Sequence, residues 1–336
     1  MSDKTPTGSE LLLELVDGYR VTQALYAAVT LGIPDLVASR AQSSEELAAT
    51  TRTHAHALER LLRALAATGV LYQDDDGCYS LTSFGEPLRS DSTESIAGWV
   101  AYVGREPHWR AWGDLLHSVR TGENAFRHVY GTDVWHYRAE HAEEGAIFDG
   151  AMAALTSRDN RNMIAAFAFD RFETIVDVGG GNGSLLAAVL AATPNARGAV
   201  FDLPHVVAGA AAVLDAAGVA DRCETVAGSF FEAVPPADAY VLRSILHDWE
   251  DEEATAILAT CARSLKTDGS VLVVDRLIGA PNEDRAPKYS DLNMLVGAGG
   301  RERTLEDFSA LFEDAGLELV STTRAGTNRW ILEAGR

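Results

Sequence analysis

The sequence predicts an α/β protein: a parallel sheet covered by helices on both faces in the second half, behind a mainly helical first half. Three observations predict it. From about residue 170, short apolar runs alternate with helical stretches, the pattern of a sheet whose strands are buried on both sides. The first of those runs, TIVDV (174–178), ends in a glycine-rich turn that opens directly into a helical stretch. Before residue 170, apolar residues recur at helical spacing, interrupted by one short hairpin pattern.

Composition bounds what such a protein does. With 336 residues the chain has room for about two domains. Hydrophobic content of 47% and charged content of 23% exclude a disordered chain. Lys plus Arg number 28 and Asp plus Glu 49, a net charge of −21. That mean field repels polyanions, so neither nucleic acid nor an anionic membrane is expected as a partner. Cys78, Cys223 and Cys261 are widely spaced and odd in number, which suits free thiols in a reducing compartment. The N-terminal MSDKTPTGSE is polar and lacks the apolar stretch of a signal peptide. No uncharged apolar run reaches the ~18 residues a membrane span needs. The expectation is a soluble, cytoplasmic protein.

Taken in order, residues 1–95 read as a first domain. Leu12, Leu15, Val16 and Tyr19 form one helical stripe, and Leu58, Leu61, Leu62 and Leu65 another. Ser43 and Glu46 have capping-box spacing ahead of Leu47. Gly69 stops a helix, and VLYQDDDGCYSLT then reads as two strands around an Asp-Gly turn. Helices followed by a hairpin is the order of a winged helix. Apolar helices at a chain end with no local partner suit self-association.

Residues 96–165 read as a helical connector. Trp99, Tyr102, Trp109, Trp112, Phe126, Tyr130, Trp135 and Tyr137 are eight of the chain's 26 aromatics. Such density serves a core, an interface or a pocket for a flat ligand.

Residues 166–336 read as the sheet domain. Strands are expected at 174–178, 198–202, 223–228, 239–243 and 270–275. Helices fall between them at 184–192, 205–218 and 252–265. A loop covers 276–287, helices follow near Asp291–Val296 and Leu305–Ala315, and LELVST and NRWILEA suggest an antiparallel hairpin at the sheet edge.

The glycine turn reads Asp177-Val-Gly179-Gly180-Gly181-Asn182-Gly183. Glycines between a strand and a helix let backbone amides approach a ligand closely. Asp202, ending the next strand, can accept from both ribose hydroxyls of a nucleotide. These features fit two cofactor classes. A nicotinamide enzyme usually shows G-x-G-x-x-G, whereas the spacing here is G-x-G-x-G preceded by the carboxylate of Asp177. A carboxylate there repels pyrophosphate and suits a ligand bearing an ammonium, such as S-adenosylmethionine (SAM). After the fourth strand stands Arg243-Ser-Ile-Leu-His247-Asp248-Trp249. Ligands in this kind of sheet lie beyond the carboxyl ends of the strands, which places His247 to act. Asp248 and Asp251 suit the N-terminus of the helix that follows. His54 with His56, and His136 with His141, are poorly spaced for chelation, so no metal is expected.

DVGGGNG, FDLPHV, GSFFE, SILHDW and GGRERT, in this order, resemble the class I SAM-dependent O-methyltransferases. The small-molecule branch is the closer match: plant caffeate and isoflavone enzymes, and bacterial enzymes that methylate aromatic polyketides and related natural products. The resemblance covers nearly the whole chain. It implies a Rossmann-like SAM-binding sheet, an N-terminal winged-helix dimerisation domain and a homodimer. It implies SAM as cofactor, S-adenosylhomocysteine (SAH) as product and an aromatic small-molecule substrate. By the resemblance, cofactor contacts fall on Asp177, Gly179, Gly181, Asp202, Ser229, Phe230 and Arg243. Many relatives have Asp where Ser229 stands, and often Lys in place of Arg243. The catalytic base falls on His247, flanked by Asp275 and Glu302. Plant enzymes have Glu where Asp275 stands, so the longer Glu302 is the expected partner that orients the ring. Substrate contacts fall on Trp99, Tyr102, Phe148, Met152, Asn293 and Met294.

The expected chemistry is methyl transfer to an aromatic hydroxyl with His247 as general base and no metal. Three other readings compete. A relative that binds SAM without methylating keeps the fold and the cofactor site. A nicotinamide oxidoreductase shares the glycine turn and Asp202, but does not call for HDW or GG-x-E-R-T. A winged-helix DNA regulator would have Asp74-Asp75-Asp76 at its wing tip, three carboxylates facing phosphate.

Overall fold

In the computed structural model, which describes residues 7–326 and 328–336, the chain divides into two units. One runs up to Trp109 and includes Glu143–Leu155; the other comprises Arg110–Ala142 and Thr156–Arg336.

The first unit opens with the helix Gly8–Thr30, started by a capping box between Thr7 and Glu10. A second capping box, Ser43 with Glu46, starts Ser44–Thr51 as the spacing predicts. Helix Ala55–Ala67 buries Leu58, Leu62 and Leu65 and leaves Leu61 partly covered. Strands β1 (Leu71–Gln73) and β2 (Tyr79–Leu81) then pair antiparallel across the acidic turn. Their Tyr79 is fully buried with Ile33, Leu47 and Leu62, and its hydroxyl donates to Glu59 at 2.9 Å. The predicted stripe on the first helix is not part of this core. Leu11, Leu12, Leu15, Val16 and Tyr19 are all exposed.

The second unit is built on seven strands: β3 (Thr174–Val178), β4 (Arg197–Asp202), β5 (Cys223–Ala227), β6 (Ala237–Arg243), β7 (Leu265–Asp275), β8 (Glu318–Arg324) and β9 (Trp330–Gly335). Their order is β5-β4-β3-β6-β7-β9-β8. The first five pair in parallel; β9 runs antiparallel to β7 and β8. Side chains alternate between two apolar layers, as a period of two requires. Val176, Leu242, Val271 and Val273 pack with helices Asp251–Ser264 and Leu305–Asp314. Ile175, Val241, Leu272 and Val274 pack with helices Ser184–Ala192 and Ala210–Ala216. A smaller cluster joins Ala111, Ala125, Phe126 and Val134 to Val296. Among the described residues no helix is long and apolar enough to cross a membrane.

Three elements differ from expectation. The helix expected over 205–218 is two pieces, Pro204–Val207 and Ala210–Ala216, separated at Ala208-Gly209. Strand β7 begins at Leu265, directly after the preceding helix, and turns through Asp268 at φ +62. The expected loop 276–287 is shortened by a helix that starts at Arg285. Pro287 sits in its first turn, where a missing N–H breaks no helical bond.

Candidate active site

The parallel strands bring three functional segments to one end of the sheet. β3 ends at the glycine turn, β6 at Arg243 and β7 at Asp275.

At the glycine turn, Gly179, Gly181 and Gly183 all have positive φ, and a Cβ on Gly179 would lie 2.3 Å from Ile245 Cδ1. Asp202 ties the turn to β4. Its carboxylate accepts from Gly181 N at 2.9 Å and from Leu203 N at 2.7 Å. Burial pushes its pKa up, against the pull of those amides. Asp177 is 2% exposed, and its Oδ2 has no hydrogen-bond partner. Burial pushes its carboxyl up to about 7, opposed by Arg243 and aided by Asp202. Arg243 donates to Asn160 Oδ1, and Asn160 Nδ2 donates to Ser184 O at 3.2 Å. Ser229 Oγ accepts from Phe231 N at 3.3 Å, which sets the turn that carries Phe230. The Phe230 and Phe231 rings meet Trp249 nearly edge to face, with centroids 6.0 and 4.8 Å away.

Beyond β6 the chain passes through Ser244 at φ +55, a left-handed conformation uncommon outside glycine. A short 3₁₀ turn, Leu246–Asp248, then presents a buried His247. Its Nδ1 lies 3.1 Å from Asp275 Oδ1 and 3.3 Å from Glu302 Oε1. The nitrogen sits between the two carboxylates without a well-aligned hydrogen bond to either. Its Nε2 is 3.6 Å from Asp248 Oδ1. Burial opposes a charge on the ring, but the carboxylates of Asp275, Asp248 and Glu302 outweigh it and hold the imidazole pKa well above its usual value. Burial pushes Asp248 up to about 6.

Each flanking acid has its own cation. Glu302 Oε1 accepts from Ser290 Oγ at 2.6 Å and from Arg276 Nη1 at 3.3 Å. Although burial raises its pKa, His247 and Arg276 hold it low. Asp275 is fully buried, with Arg329 Nη1 3.6 Å from its Oδ1. Burial, and then the neighbouring Arg276, push the Arg329 guanidinium down to about 10. The sequence favours Glu302 for orienting the His247 ring and leaves the reach of Asp275 in doubt; in the structure both acids stand at Nδ1. Asp275 Oδ1 is the closer oxygen, because β7 delivers its last residue directly beside the 3₁₀ turn.

Two features of the 299–304 segment explain its sequence. A Cβ on Gly300 would lie within 2.5 Å of the backbone of His247, Asp248 and Trp249, so only glycine allows this approach. Arg303 is fully buried. It donates to Leu246 O at 2.7 Å, Trp249 O at 2.8 Å and Asp251 Oδ1 at 2.7 and 2.9 Å, clamping the turn that carries His247.

The six expected substrate residues divide between the units. Trp99, Tyr102 and Phe148 form one ring cluster in the first unit, with centroid distances of 5.7 and 5.4 Å. Met152 follows Phe148 one turn later on the same helix and is partly buried. In the second unit, Met294 is buried and Asn293 Oδ1 accepts from Trp112 Nε1 at 3.0 Å. Sequence reasoning passed over Asn160, Arg276, Ser290, Arg303 and Arg329. Only Arg276, next to Asp275, and Arg303, inside GGRERT, stood beside a recognised motif.

His247, Asp275 and Glu302 bring ligating atoms within 4.8 Å of one another, as a metal site does. Two guanidiniums at the same carboxylates oppose a further cation there and suit a site that handles a proton.

A model of the O-methyltransferase domain matches residues 112–318, and one of the O-methyltransferase dimerisation domain matches residues 13–90. The chain belongs to the O-methyltransferase family. This methyltransferase is 41% identical over 329 residues to a phenazine O-methyltransferase of Lysobacter antibioticus, covering 97% of this chain and 96% of that one. Its fold is similar to that of a mitomycin 7-O-methyltransferase, with a TM-score of 0.91, 36% identity and 98% and 97% coverage. It is also similar to an O-methyltransferase from neocarzinostatin biosynthesis solved with SAH and 1,4-dihydroxy-2-naphthoic acid. There the TM-score is 0.80 at 34% identity, with 94% and 95% of the chains covered. The protein is a SAM-dependent O-methyltransferase with a Rossmann-like sheet and an N-terminal helical dimerisation domain. The glycine turn fits that cofactor. The partnerless Oδ2 of buried Asp177 is an acceptor suited to an ammonium, and an ammonium there would return its raised pKa toward that of an ionised acid.

Proposed function

We propose that this methyltransferase methylates a hydroxyl of an aromatic small molecule, a polyketide or related secondary metabolite, with His247 as general base. The observation that carries the reading is the buried His247, whose Nδ1 faces two carboxylates at 3.1 and 3.3 Å. With the Nδ1 proton held there, Nε2 keeps its lone pair for the substrate. Bound SAM supplies an electrophilic methyl group on a sulfonium. Asp177 would hold its ammonium, Asp202 its ribose, and Phe230 with Ser229 its adenine, while Arg243 and Asn160 brace the turn.

The protein's chemical task is removal of a proton. A phenol has a pKa near ~10, so ionising it at pH 7 costs roughly 4 kcal/mol. A His whose pKa is raised toward that of the phenol matches the acid it must deprotonate, and such a base typically contributes ~10²–10⁴-fold. Asp275 and Glu302 stabilise the imidazolium as it forms, and Arg276 helps to keep the Glu302 carboxylate ionised. The aromatic acceptor is supported by the relatives, which are named for phenazine, mitomycin and dihydroxynaphthoate substrates. Asn293 and Met294, in the same unit as His247, are the residues we assign to it. Incubation with SAM and a panel of hydroxyarenes tests the reading by mass spectrometry. A gain of one methyl on free hydroxyls, absent from the matching methyl ethers, supports it; methylation of amines alone overturns it.

We further propose a homodimer built on the first helix, which exposes Leu11, Leu12, Leu15 and Val16 and most of which, including Leu15 and Val16, lies within the dimerisation-domain match over residues 13–90. A monomeric mass in solution would contradict it. The cytoplasm is the compartment we assign, since Cys78, Cys223 and Cys261 are all free thiols.

A further inference from the structure

Two short helices of the second unit, Leu115–Thr121 and Ala125–Tyr130, form a tight hairpin. Gly122 ends the first at φ +77, and Asn124 caps the second by accepting from Arg127 N at 2.9 Å. The turn sets His117 and His128 face to face, with ring centroids 3.6 Å apart and planes 7° from parallel. Each ring also meets a carboxylate. His128 Nδ1 is 2.7 Å from Asp114 Oδ2, and His117 Nε2 is 2.9 Å from Glu123 Oε2. One ligating atom from each of Asp114, His117 and His128 lies within 4.8 Å of the other two, and all three residues reach solvent.

We propose that Asp114, His117 and His128 form a binding site for a divalent transition-metal ion of zinc type, with Glu123 holding the His117 ring. Four arguments carry it. Two imidazoles and a carboxylate are the donor set of zinc and its borderline neighbours, and leave a fourth position open. Asp114 and Glu123 bring two negative charges to two imidazoles, which a dication neutralises; two stacked imidazoliums would instead repel each other. The three ligand atoms already lie within 4.8 Å of one another, near the ~3.4 Å spacing of tetrahedral zinc ligands, and closing on the ion turns one ring out of the parallel stack so that both in-plane lone pairs point at it. Finally, all the ligands come from residues 114–128, so little chain entropy opposes closure.

The site would act as a clamp. Asn124, inside the hairpin, donates from Nδ2 to Leu295 O at 2.9 Å and to Gly297 O at 3.2 Å. Trp112, two residues before Asp114, donates to Asn293. An ion therefore steadies the segment that follows Asn293 and takes no part in proton transfer at His247.

The test uses the full-length chain without a histidine tag, freed of metal by dialysis against a chelator. Cobalt(II) is titrated and followed by its visible absorption, and zinc(II) is titrated by calorimetry. The proposal expects one saturable site per chain, cobalt displaced by zinc, and a higher melting temperature with either ion. His117→Gln and His128→Gln should each weaken binding by at least ~10-fold, while the exposed His136→Gln leaves it unchanged. SAM binding by each variant reports that it is folded. Absence of saturable binding overturns the proposal. So does binding that survives both His117→Gln and His128→Gln, and so does binding that Asp275→Asn alone abolishes, which would place the ion beside His247.

Discussion

Glu302→Gln removes one of the two negative charges beside His247 Nδ1 while keeping the side chain's size. Unit charges 3.3 Å apart at an effective dielectric constant near 20 interact by about 5 kcal/mol. Arg276, 3.3 Å from the same oxygen, stays in the variant and repels the imidazolium as before, while relaxation and water entering around the new amide offset part of the loss. Asp275 stays in place at 3.1 Å. The net loss we expect is ~1–2 pKa units at His247, or roughly 1.4–2.7 kcal/mol. Because His247 must be neutral to accept a proton, kcat/KM rises with pH through its pKa, which lies well above the usual value in the native protein. In Glu302→Gln that rising limb should move to lower pH by ~1–2 units, and the plateau should fall because the base is weaker. A pH profile of kcat/KM with a hydroxyarene acceptor measures both. A limb that stays in place, or moves to higher pH, refutes the assignment of Glu302 as the charge that sustains His247's basicity.

Three further predictions rest on Asp177 and Arg303. Asp177 is pushed up to about 7, so SAM affinity should rise as pH climbs toward and past 7 and this carboxylate ionises. Asp177→Asn should remove that rise and weaken SAM binding by ~10–100-fold, read by calorimetry across pH 5.5–7.5; a variant with the native pH dependence contradicts the role. The same raised pKa means the cofactor-free native state holds a proton that the unfolded chain releases. Its stability should therefore fall as pH rises from about 4 to 7, and SAM should relieve that loss. Arg303→Met leaves the carbonyls of Leu246 and Trp249 without their donor. A cost of about 2–3 kcal/mol by denaturant unfolding is expected, with a lower kcat; a cost below ~0.5 kcal/mol would show that the clamp does not hold the turn.

How much of this was legible depended on whether a signal is local. Strands β3, β4, β6 and β7 announce themselves as apolar runs because both faces are buried, and their ends carry Asp177, Asp202, Arg243 and Asp275 in order. His247 and Glu302 were legible through the motifs around them, HDW and GGRERT. What brings the two together was not. Gly300 is needed because its backbone lies against that of His247–Trp249, and Arg303 because three acceptors converge on it. Those contacts span more than 50 residues and leave no periodic trace. Asn160 is a polar residue on a helix until Arg243 is seen to reach it. Nearer in sequence, His117 and His128 are 11 residues apart, a spacing that suggests nothing until Gly122 folds their helices back on each other. The break at Ala208-Gly209 was likewise hidden inside an alanine-rich run with a good helical pattern.

In the proposed mechanism His247 takes the acceptor's proton and does not serve to bind the cofactor. Single-turnover methyl transfer by His247→Gln, with SAM affinity measured on the same preparation, tests it most directly. A rate lower by ~10²–10⁴-fold with SAM affinity unchanged is expected. A rate within a few-fold of the native enzyme, or a loss of SAM binding that accounts for the whole effect, would contradict it.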